Sequence, residues 1–231
     1  MKKYIILALT ILLTVSPIKV EAKIVGYDVV AQSNKENITL YAKELDGLYR
    51  DFKIKFKWGI LSRPFWINDT SPTWSPKIIY ENINQCDKQE LIIILTKGYG
   101  TGVLEQEAHI FHIEKKEIGK AIVDVPVEVL IDNPLAIIMK NVRTQLTPDK
   151  AKISIGDKHF TVDIKPLGIQ SEHLFRDISF NNIIKFEIKD NQFIAKIGGQ
   201  ISPVGGFIGE VVIVYEYQDN MYQSKSIKFQ P

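Results

Sequence analysis

The sequence predicts a mainly β protein made of antiparallel hairpins, arranged as a sandwich or a partial propeller-like sheet with at most one or two short helices. Apolar and polar residues alternate along much of the 231-residue chain, and a period of two is typical of strands with one buried face. Between these segments stand dipeptides that favour tight turns, namely Asp46-Gly47, Gly156-Asp157 and Asp190-Asn191. The period and the turns together indicate successive hairpins.

The first half of the chain contains the clearest strand patterns. In Asp51–Trp58 aromatic and aliphatic residues alternate with lysines, which predicts one dry and one wet face. Strands are predicted at Ile24–Ala31, Ile38–Leu45, Leu48–Lys57, Leu91–Thr96 and Val103–Ile113. A proline-rich connection is predicted at Arg63–Pro76, and a glycine turn at Lys97–Gly102.

The second half continues the hairpin pattern. Strands are predicted at Val123–Ile131, Ala151–Ile155, His159–Ile164, Ile183–Ile188, Phe193–Ile197, Glu210–Tyr217 and Tyr222–Phe229. Ser171–Phe175 could form one helical turn with Ser171 as its N-cap, and Pro134–Leu146 fits either a short helix or a strand. A division near residues 115–122 would give β-rich regions 23–115 and 116–231, which could also form one continuous domain.

The N-terminus has the pattern of a signal peptide. Lys2 and Lys3 precede the apolar run Ile5–Val15, Ser16-Pro17 ends that run, and Val20-Glu21-Ala22 suits signal peptidase. We therefore expect a secreted or cell-envelope-associated protein after removal of residues 1–22, with an uncleaved anchor as the alternative. No later segment approaches the roughly 20 apolar residues of a membrane helix, so no further span is expected.

Charge and cysteine content exclude two classes of protein. Residues 1–22 carry the whole formal net charge of +2, so the rest of the chain is neutral and no nucleic-acid partner is expected. Cys86 is the single cysteine, so the chain cannot form an internal disulfide and must rely on its core. Export without oxidative folding suits a Gram-positive bacterium.

A polar loop, ENINQCDKQE, precedes the apolar run that begins at Leu91. Its oxygen-bearing side chains recur at alternate positions, and calcium loops use that spacing because alternate residues point inward as the chain curls. The candidate metal ligands are Asn82, Asn84, Asp87 and Glu90. Few of them are anionic, so we favour a plain turn before a buried strand and expect no cofactor. A calcium ion bound by this loop is the alternative.

This loop resembles the Asp-x-Asn-x-Asp-Gly-x-x-Asp-Leu loop of FG-GAP/VCBS-type repeats, which lies between propeller strands and often binds calcium. Asn82, Asn84, Glu90 and Leu91 fit that pattern. An amide stands at the first position, the thiol of Cys86 at the fifth, and an aspartate replaces the turn glycine, and soft thiols are poor calcium ligands. More broadly, the run from Tyr41 to His112 is similar to uncharacterised secreted proteins of spore-forming Gram-positive bacteria, which implies no activity.

One predicted strand carries a polar face of a kind used in catalysis. Glu105, Glu107 and His109 would share one face of Val103–Ile113, whereas His112 would point to the other. Two carboxylates and an imidazole could supply an acid and a base, or ligands for zinc. Because such positions on a solvated strand are usually polar exterior, a secreted hydrolase remains an alternative interpretation.

The aromatic residues offer a binding surface. Trp58, Trp66 and Trp74 lie close together in the sequence, with Phe65 and Tyr80 among them. Flat aromatic faces on a proline-stiffened loop can stack on sugar rings or contact a partner chain. Tryptophan is commonly buried, so a role in the core is favoured. Trp66, Trp74 and Phe65 are the candidate ligand-binding residues.

Other catalytic motifs are missing from the sequence. The glycine-rich segment Gly98–Gly102 precedes a predicted strand, whereas a phosphate loop needs a following helix. No Gly-x-Ser-x-Gly nucleophile turn occurs. We therefore predict a non-catalytic protein that acts in binding or assembly, with a cell-wall polymer or another secreted or envelope protein as partner. A secreted inhibitor of a partner protein is a third possibility.

Overall fold

The computed structural model describes residues 24–57, 59–83 and 89–231. It confirms a mainly β protein whose antiparallel sheets form a sandwich-like arrangement with one α-helix. The predicted signal peptide, Trp58, and the loop residues Asn84, Cys86 and Asp87 lie outside the described residues. Within the described ranges, no helix has both the length and the apolar character needed to cross a membrane.

A four-stranded sheet comes first. It contains β1 (Asp28–Ser33), β2 (Ile38–Leu45), β3 (Leu48–Phe56) and β4 (Gly59–Asp69), paired in that order. A 3-10 turn, Lys35–Asn37, precedes β2. Asp46 and Gly47 join β2 to β3 with φ of 52° and 73°, the left-handed conformation that such hairpin turns require.

Strand β4 corrects the predicted connection at Arg63–Pro76, because the chain stays extended as far as Asp69. The pairing of β4 with β3 shifts register between Arg50 and Phe52, and Pro64 stands at this bulge. Proline is tolerated there because an edge strand at a bulge does not need every N–H for the ladder. The apparent loop is therefore a bulged edge strand.

The remaining elements follow in chain order. A 3-10 turn, Pro72–Trp74, leads into β5 (Lys77–Glu81), β6 (Glu90–Gly100), β7 (Val103–Ile118) and β8 (Ala121–Ile131). Next come α1 (Pro134–Asn141), β9 (Val142–Leu146), β10 (Lys150–Ile155) and β11 (Lys158–Asp163), and the 3-10 turns Lys165–Leu167 and Ser171–His173. The last strands are β12 (Ser179–Lys189), β13 (Gln192–Ser202), β14 (Gly205–Gln218) and β15 (Met221–Gln230). The ambiguous segment Pro134–Leu146 is thus a helix followed by a strand. Gln170, not Ser171, occupies the N-cap position of the turn Ser171–His173, and its side chain makes no capping hydrogen bond.

The large sheet has eight strands in the order β12-β13-β14-β15-β8-β7-β6-β5, and β12 also pairs with β7. That pairing is parallel, as is the pairing of β15 with β8. Six strands therefore form a closed circuit. The sheet joins strands from both predicted regions, and the boundary at residues 115–116 falls inside β7. The strands β11-β10-β9 form a separate three-stranded sheet.

A fork opens where β7 changes its neighbour. β7 pairs with β12 at Leu104 and Glu105, and with β8 only from Ile110 onward. Between these positions the side chain of Gln106 accepts a hydrogen bond from the backbone N–H of Phe186 (2.9 Å). The strands β12 and β8 therefore diverge on either side of Gln106–His109, which leaves room for a cavity.

Strand β6 separates two hydrophobic cores. Leu91, Ile93 and Leu95 pack against the four-stranded sheet, while Ile92 and Ile94 point into the core of the closed circuit. The exposed fraction of each of these five side chains is 1% or less, which confirms the predicted buried run. Burying one such side chain stabilises the fold by about 1.5–3 kcal/mol. The buried run therefore fixes the position of β6, and with it the position of the residues at both ends of the strand.

Candidate functional site

The three aromatic candidates have different environments. Trp66 is only 7% exposed, and its ring stacks on His109 with centroids 4.0 Å apart. Trp66 lies on β4 and not in a loop, and it faces the core, which agrees with the favoured core role and not with the alternative of an exposed binding residue. Phe65, its neighbour on the bulge, points outward and is 92% exposed. Trp66 and Trp74 therefore do not form a common exposed surface.

Trp74 pairs instead with Tyr99. The two rings are tilted by 39°, with centroids 5.5 Å apart. Trp74 is half-buried and Tyr99 is 48% exposed. We call this pair the aromatic platform. Tyr99 belongs to the segment predicted as a glycine turn, but β6 continues to Gly100, so the ring is carried by a regular strand beside Trp74.

A buried amide positions the platform. The Oδ1 atom of Asn68 accepts a hydrogen bond from the backbone N–H of Thr96 (2.7 Å), and its Nδ2 donates to the carbonyl of Trp74 (2.9 Å). Asn68 is completely buried. One side chain at the end of β4 therefore ties β6 to the turn that carries Trp74, and it fixes the two platform rings relative to each other.

A cavity of about 300 Å³ occupies the fork between β12 and β8. We call it the fork cleft. Its charged lining residues are Lys97, Glu105, Glu107 and Asp132, and its apolar wall includes Ile131, Ile184 and Phe186. The start of α1 closes one side. A pocket of this size is at the lower end of the range for small-ligand sites.

Lys97 is the cation of the fork cleft. Its Nζ lies 2.8 Å from Glu105 Oε1 and 3.5 Å from Glu107 Oε2. Burial alone would lower the pKa of Lys97, but hydrogen bonding to Glu105 and attraction to both carboxylates outweigh burial and raise that pKa. The ammonium therefore stays protonated. With Asp132 included, three carboxylates face one ammonium, and the lining has a net negative formal charge.

The backbone holds Asp132 rigidly at the mouth of the cleft. Its N–H donates to the carbonyl of Tyr222 (2.9 Å), and its carbonyl accepts from the hydroxyl of Tyr215 (3.0 Å). Burial, and then the negative charge of Asp132, raise the pKa of Tyr215, so this hydroxyl remains a donor. The next residue, Asn133, caps α1 by accepting from the N–H groups of Leu135 and Ala136.

The residues of the predicted Glu105/Glu107/His109 face remain neighbours, and His109 Nε2 lies 3.6 Å from Glu107 Oε1. His109 Nδ1 lies 2.9 Å from Glu128 Oε1, and Arg63 is 3.1 Å from the other oxygen of Glu128. The hydrogen bond with His109 and the charges of His109 and Arg63 outweigh burial and lower the pKa of Glu128. Glu105 and Glu107 line the fork cleft with Lys97, and His109 contacts both Glu107 and Glu128.

The candidate metal ligand Glu90 is a fully buried core residue. Its Oε1 lies 3.0 Å from His112 Nε2 and accepts a hydrogen bond from the hydroxyl of Tyr222. Its Oε2 accepts from the N–H of Ile83 (3.1 Å). The Oδ1 atom of Asn82 is buried without a hydrogen-bond partner among the described residues.

Asn84 and Asp87, the other two calcium candidates, lie outside the described ranges. In the part of the chain that the structure describes, no group of three or more His, Cys, Asp or Glu residues is placed to hold a metal ion. The calcium interpretation stays a prediction.

The fold and this site define a sandwich-like β protein with an aromatic platform beside a charged cleft. The chain matches no protein-family model, no curated protein and no solved structure. Sequence reasoning missed Tyr99, Lys97 and Asp132 as site residues. Only the Asp-Asn-Pro order before α1 offered a local signal, since Asn and Pro are typical of the first positions of a helix.

Proposed function

We propose that the protein is secreted or associated with the cell envelope, and that it binds a saccharide polymer, such as a cell-wall polymer, without catalysis. The observation that carries the proposal is the contact between Trp74 and Tyr99, whose centroids are 5.5 Å apart beside the fork cleft. Aromatic faces stack on the apolar faces of sugar rings and contribute large contact areas at low entropic cost.

The platform and the fork cleft are linked through strand β6. Tyr99 and Lys97 lie two residues apart on β6, and Lys97 contacts Glu105 across the strand pair. The proposed polymer extends from Tyr99 towards Lys97 and its carboxylate partners, past the shift in register between Thr96 and Gly98. Binding sites for small polar ligands combine apolar contact with a few polar groups that fix orientation, and this surface has both.

The platform is also preorganised. The amide of Asn68 holds the Trp74 turn against β6 before any ligand arrives, so little ordering is needed on binding. Trp66 shows the contrasting arrangement, because its ring is buried among Phe52, His109 and Phe111. Partial exposure of both platform rings supports contact with a ligand.

One observation favours a second candidate function, a secreted hydrolase. Glu105 and Glu107 share a cavity with Asp132, and paired carboxylates are the catalytic groups of many glycosidases. We prefer the binding role because Lys97 already pairs with both glutamates, and because His109 is engaged by Glu128.

The test uses the protein without its predicted signal peptide. It is incubated with insoluble cell-wall polysaccharide and with soluble oligosaccharides, and retention is measured by co-sedimentation. We expect Trp74→Ala and Tyr99→Ala to reduce retention at least fivefold, because stacking is worth about 1–3 kcal/mol for each ring in comparable ring-stacking sites. The matched control is Phe65→Ala, which removes an exposed aromatic ring from another strand and should leave retention unchanged.

Three outcomes would contradict the proposal. Equal retention of the wild type and both platform variants would remove the platform as the binding surface. Loss of retention in Phe65→Ala alone would move the surface to the β4 bulge and favour a protein partner, as an inhibitor would need. Release of reducing ends in the same incubations would support the hydrolase instead.

A further inference from the structure

The fork cleft contains charged side chains, which stacking on sugar rings alone does not require. It is a cavity of about 300 Å³, large enough for a sugar-sized group and small for a larger ligand. Its walls are of two kinds: apolar side chains from β8 and β12, including Ile131 and Ile184, and charged side chains from β6, β7 and the end of β8. Such mixed walls suit a group that has both an apolar face and a charged substituent.

The charges in the cleft are unequal. Lys97 makes contacts with one oxygen of Glu105 and one oxygen of Glu107. The structure records no hydrogen bond or ion pair to the carboxylate of Asp132 among the described residues, while both backbone groups of Asp132 are held by Tyr215 and Tyr222. The cleft thus presents the carboxylate of Asp132, a residue whose backbone is held in place. Its two further carboxylates share one ammonium, and that of Glu107 also lies 3.6 Å from His109 Nε2.

We infer that the fork cleft is a subsite of the proposed saccharide surface and that it selects polymers with free amino groups, such as de-N-acetylated amino sugars. This inference rests on the proposed function. A protonated amine can donate to Asp132 and Glu107 and reduce the net negative charge of the lining, whereas an acetamide or a hydroxyl offers no positive charge. The sugar ring contacts Ile131 and Ile184 while its amine faces the carboxylates.

The exposure of the carboxylates to solvent limits how strongly the cleft can prefer an amine-bearing polymer. The side chains of Glu105 and Glu107 are 50% and 43% exposed, and ion pairs at such positions are weakened by water and by salt. The expected preference for the amine-bearing polymer is therefore about fivefold at low salt, and it should shrink as salt is added.

The experiment compares three soluble probes of equal length. They are an N-acetylglucosamine hexamer, its fully de-N-acetylated form and a glucose hexamer, titrated by calorimetry at mildly acidic pH, where the amines are protonated. We expect the wild type to bind the de-N-acetylated hexamer about fivefold more tightly than the other two. The double variant Glu107→Gln/Asp132→Asn should lose this preference and still bind the acetylated hexamer. Glu216→Gln, which changes an exposed carboxylate paired with Lys225, is the matched control.

The outcomes separate the two proposals. If the wild type binds all three probes equally, or if the double variant keeps the preference, the amine subsite is refuted while the platform stands. If no probe binds, or if Trp74→Ala leaves every affinity unchanged, the proposed function fails, and with it the subsite. Circular dichroism of each variant checks that the fold is retained.

Discussion

Tyr222 donates a hydrogen bond to Glu90 from 132 residues away in the sequence. The same carboxylate oxygen lies 3.0 Å from His112, and the second oxygen accepts from the N–H of Ile83. The carboxylate therefore links the start of β6 to β7, to β15 and to Ile83. The side chains of Glu90, His112 and Tyr222 are all at least 95% buried, so they form a buried polar cluster that joins three strands.

We expect Glu90→Ala to destabilise the protein by about 3–5 kcal/mol, because it leaves buried groups of His112, Tyr222 and Ile83 without their partner. The free energy of unfolding from urea titrations measures the effect. Glu216→Ala, at an exposed ion pair, should change it by about 0.5 kcal/mol or less. Equal effects of the two variants would show that Glu90 does not hold the core together.

Trp66 and Phe65 should respond oppositely to truncation. Trp66→Ala removes a buried ring that contacts Phe52 and His109, and we expect a loss of about 3–5 kcal/mol in the free energy of unfolding. Phe65→Ala removes a ring that is 92% exposed and should cost about 0.5 kcal/mol or less. Chemical denaturation of both variants tests this contrast. A large effect of Phe65→Ala would mean that the bulge is packed.

Asn68→Ala should weaken saccharide binding without removing any ring. The variant leaves the N–H of Thr96 and the carbonyl of Trp74 without their amide partner, at a cost of about 1–3 kcal/mol to the free energy of unfolding. The Trp74 turn then loses its fixed position beside Tyr99. Co-sedimentation should show reduced retention, and circular dichroism should show an intact β fold. Full retention would mean that the platform does not depend on Asn68.

The pairing of Glu128 with His109 and Arg63 predicts a dependence of stability on pH. The folded state lowers the pKa of Glu128 below its usual value of 4.5. The stabilisation is therefore complete above that value and is lost as the pH falls through the folded-state pKa. We expect Glu128→Gln to melt below the wild type at neutral pH and at nearly the same temperature in acid. A constant difference in melting temperature across this range would contradict the assignment.

Local patterns predicted the hairpins well. The turn Asp46-Gly47 and the run Leu91–Leu95 depend on positive φ and on continuous burial, and both properties belong to neighbouring residues. The patterns failed at β4, where Pro64 suggested a loop. A proline is compatible with a strand only if the strand lies at an edge or a bulge, and that position depends on the partner strand.

The residue order within a single strand therefore indicated which side chains share a face, as for Glu105, Glu107 and His109. It did not indicate which other strands and side chains each face contacts. Lys97 reaches Glu105 and Glu107 because β6 pairs with β7, and Asp132 joins them because β8 diverges from β7 at the fork. Side-chain periodicity is a local property of the backbone, whereas the partners of a charged or aromatic side chain depend on contacts between distant segments. The order of the hairpins follows from the local periodicity, and the platform and the cleft follow from the contacts between distant segments.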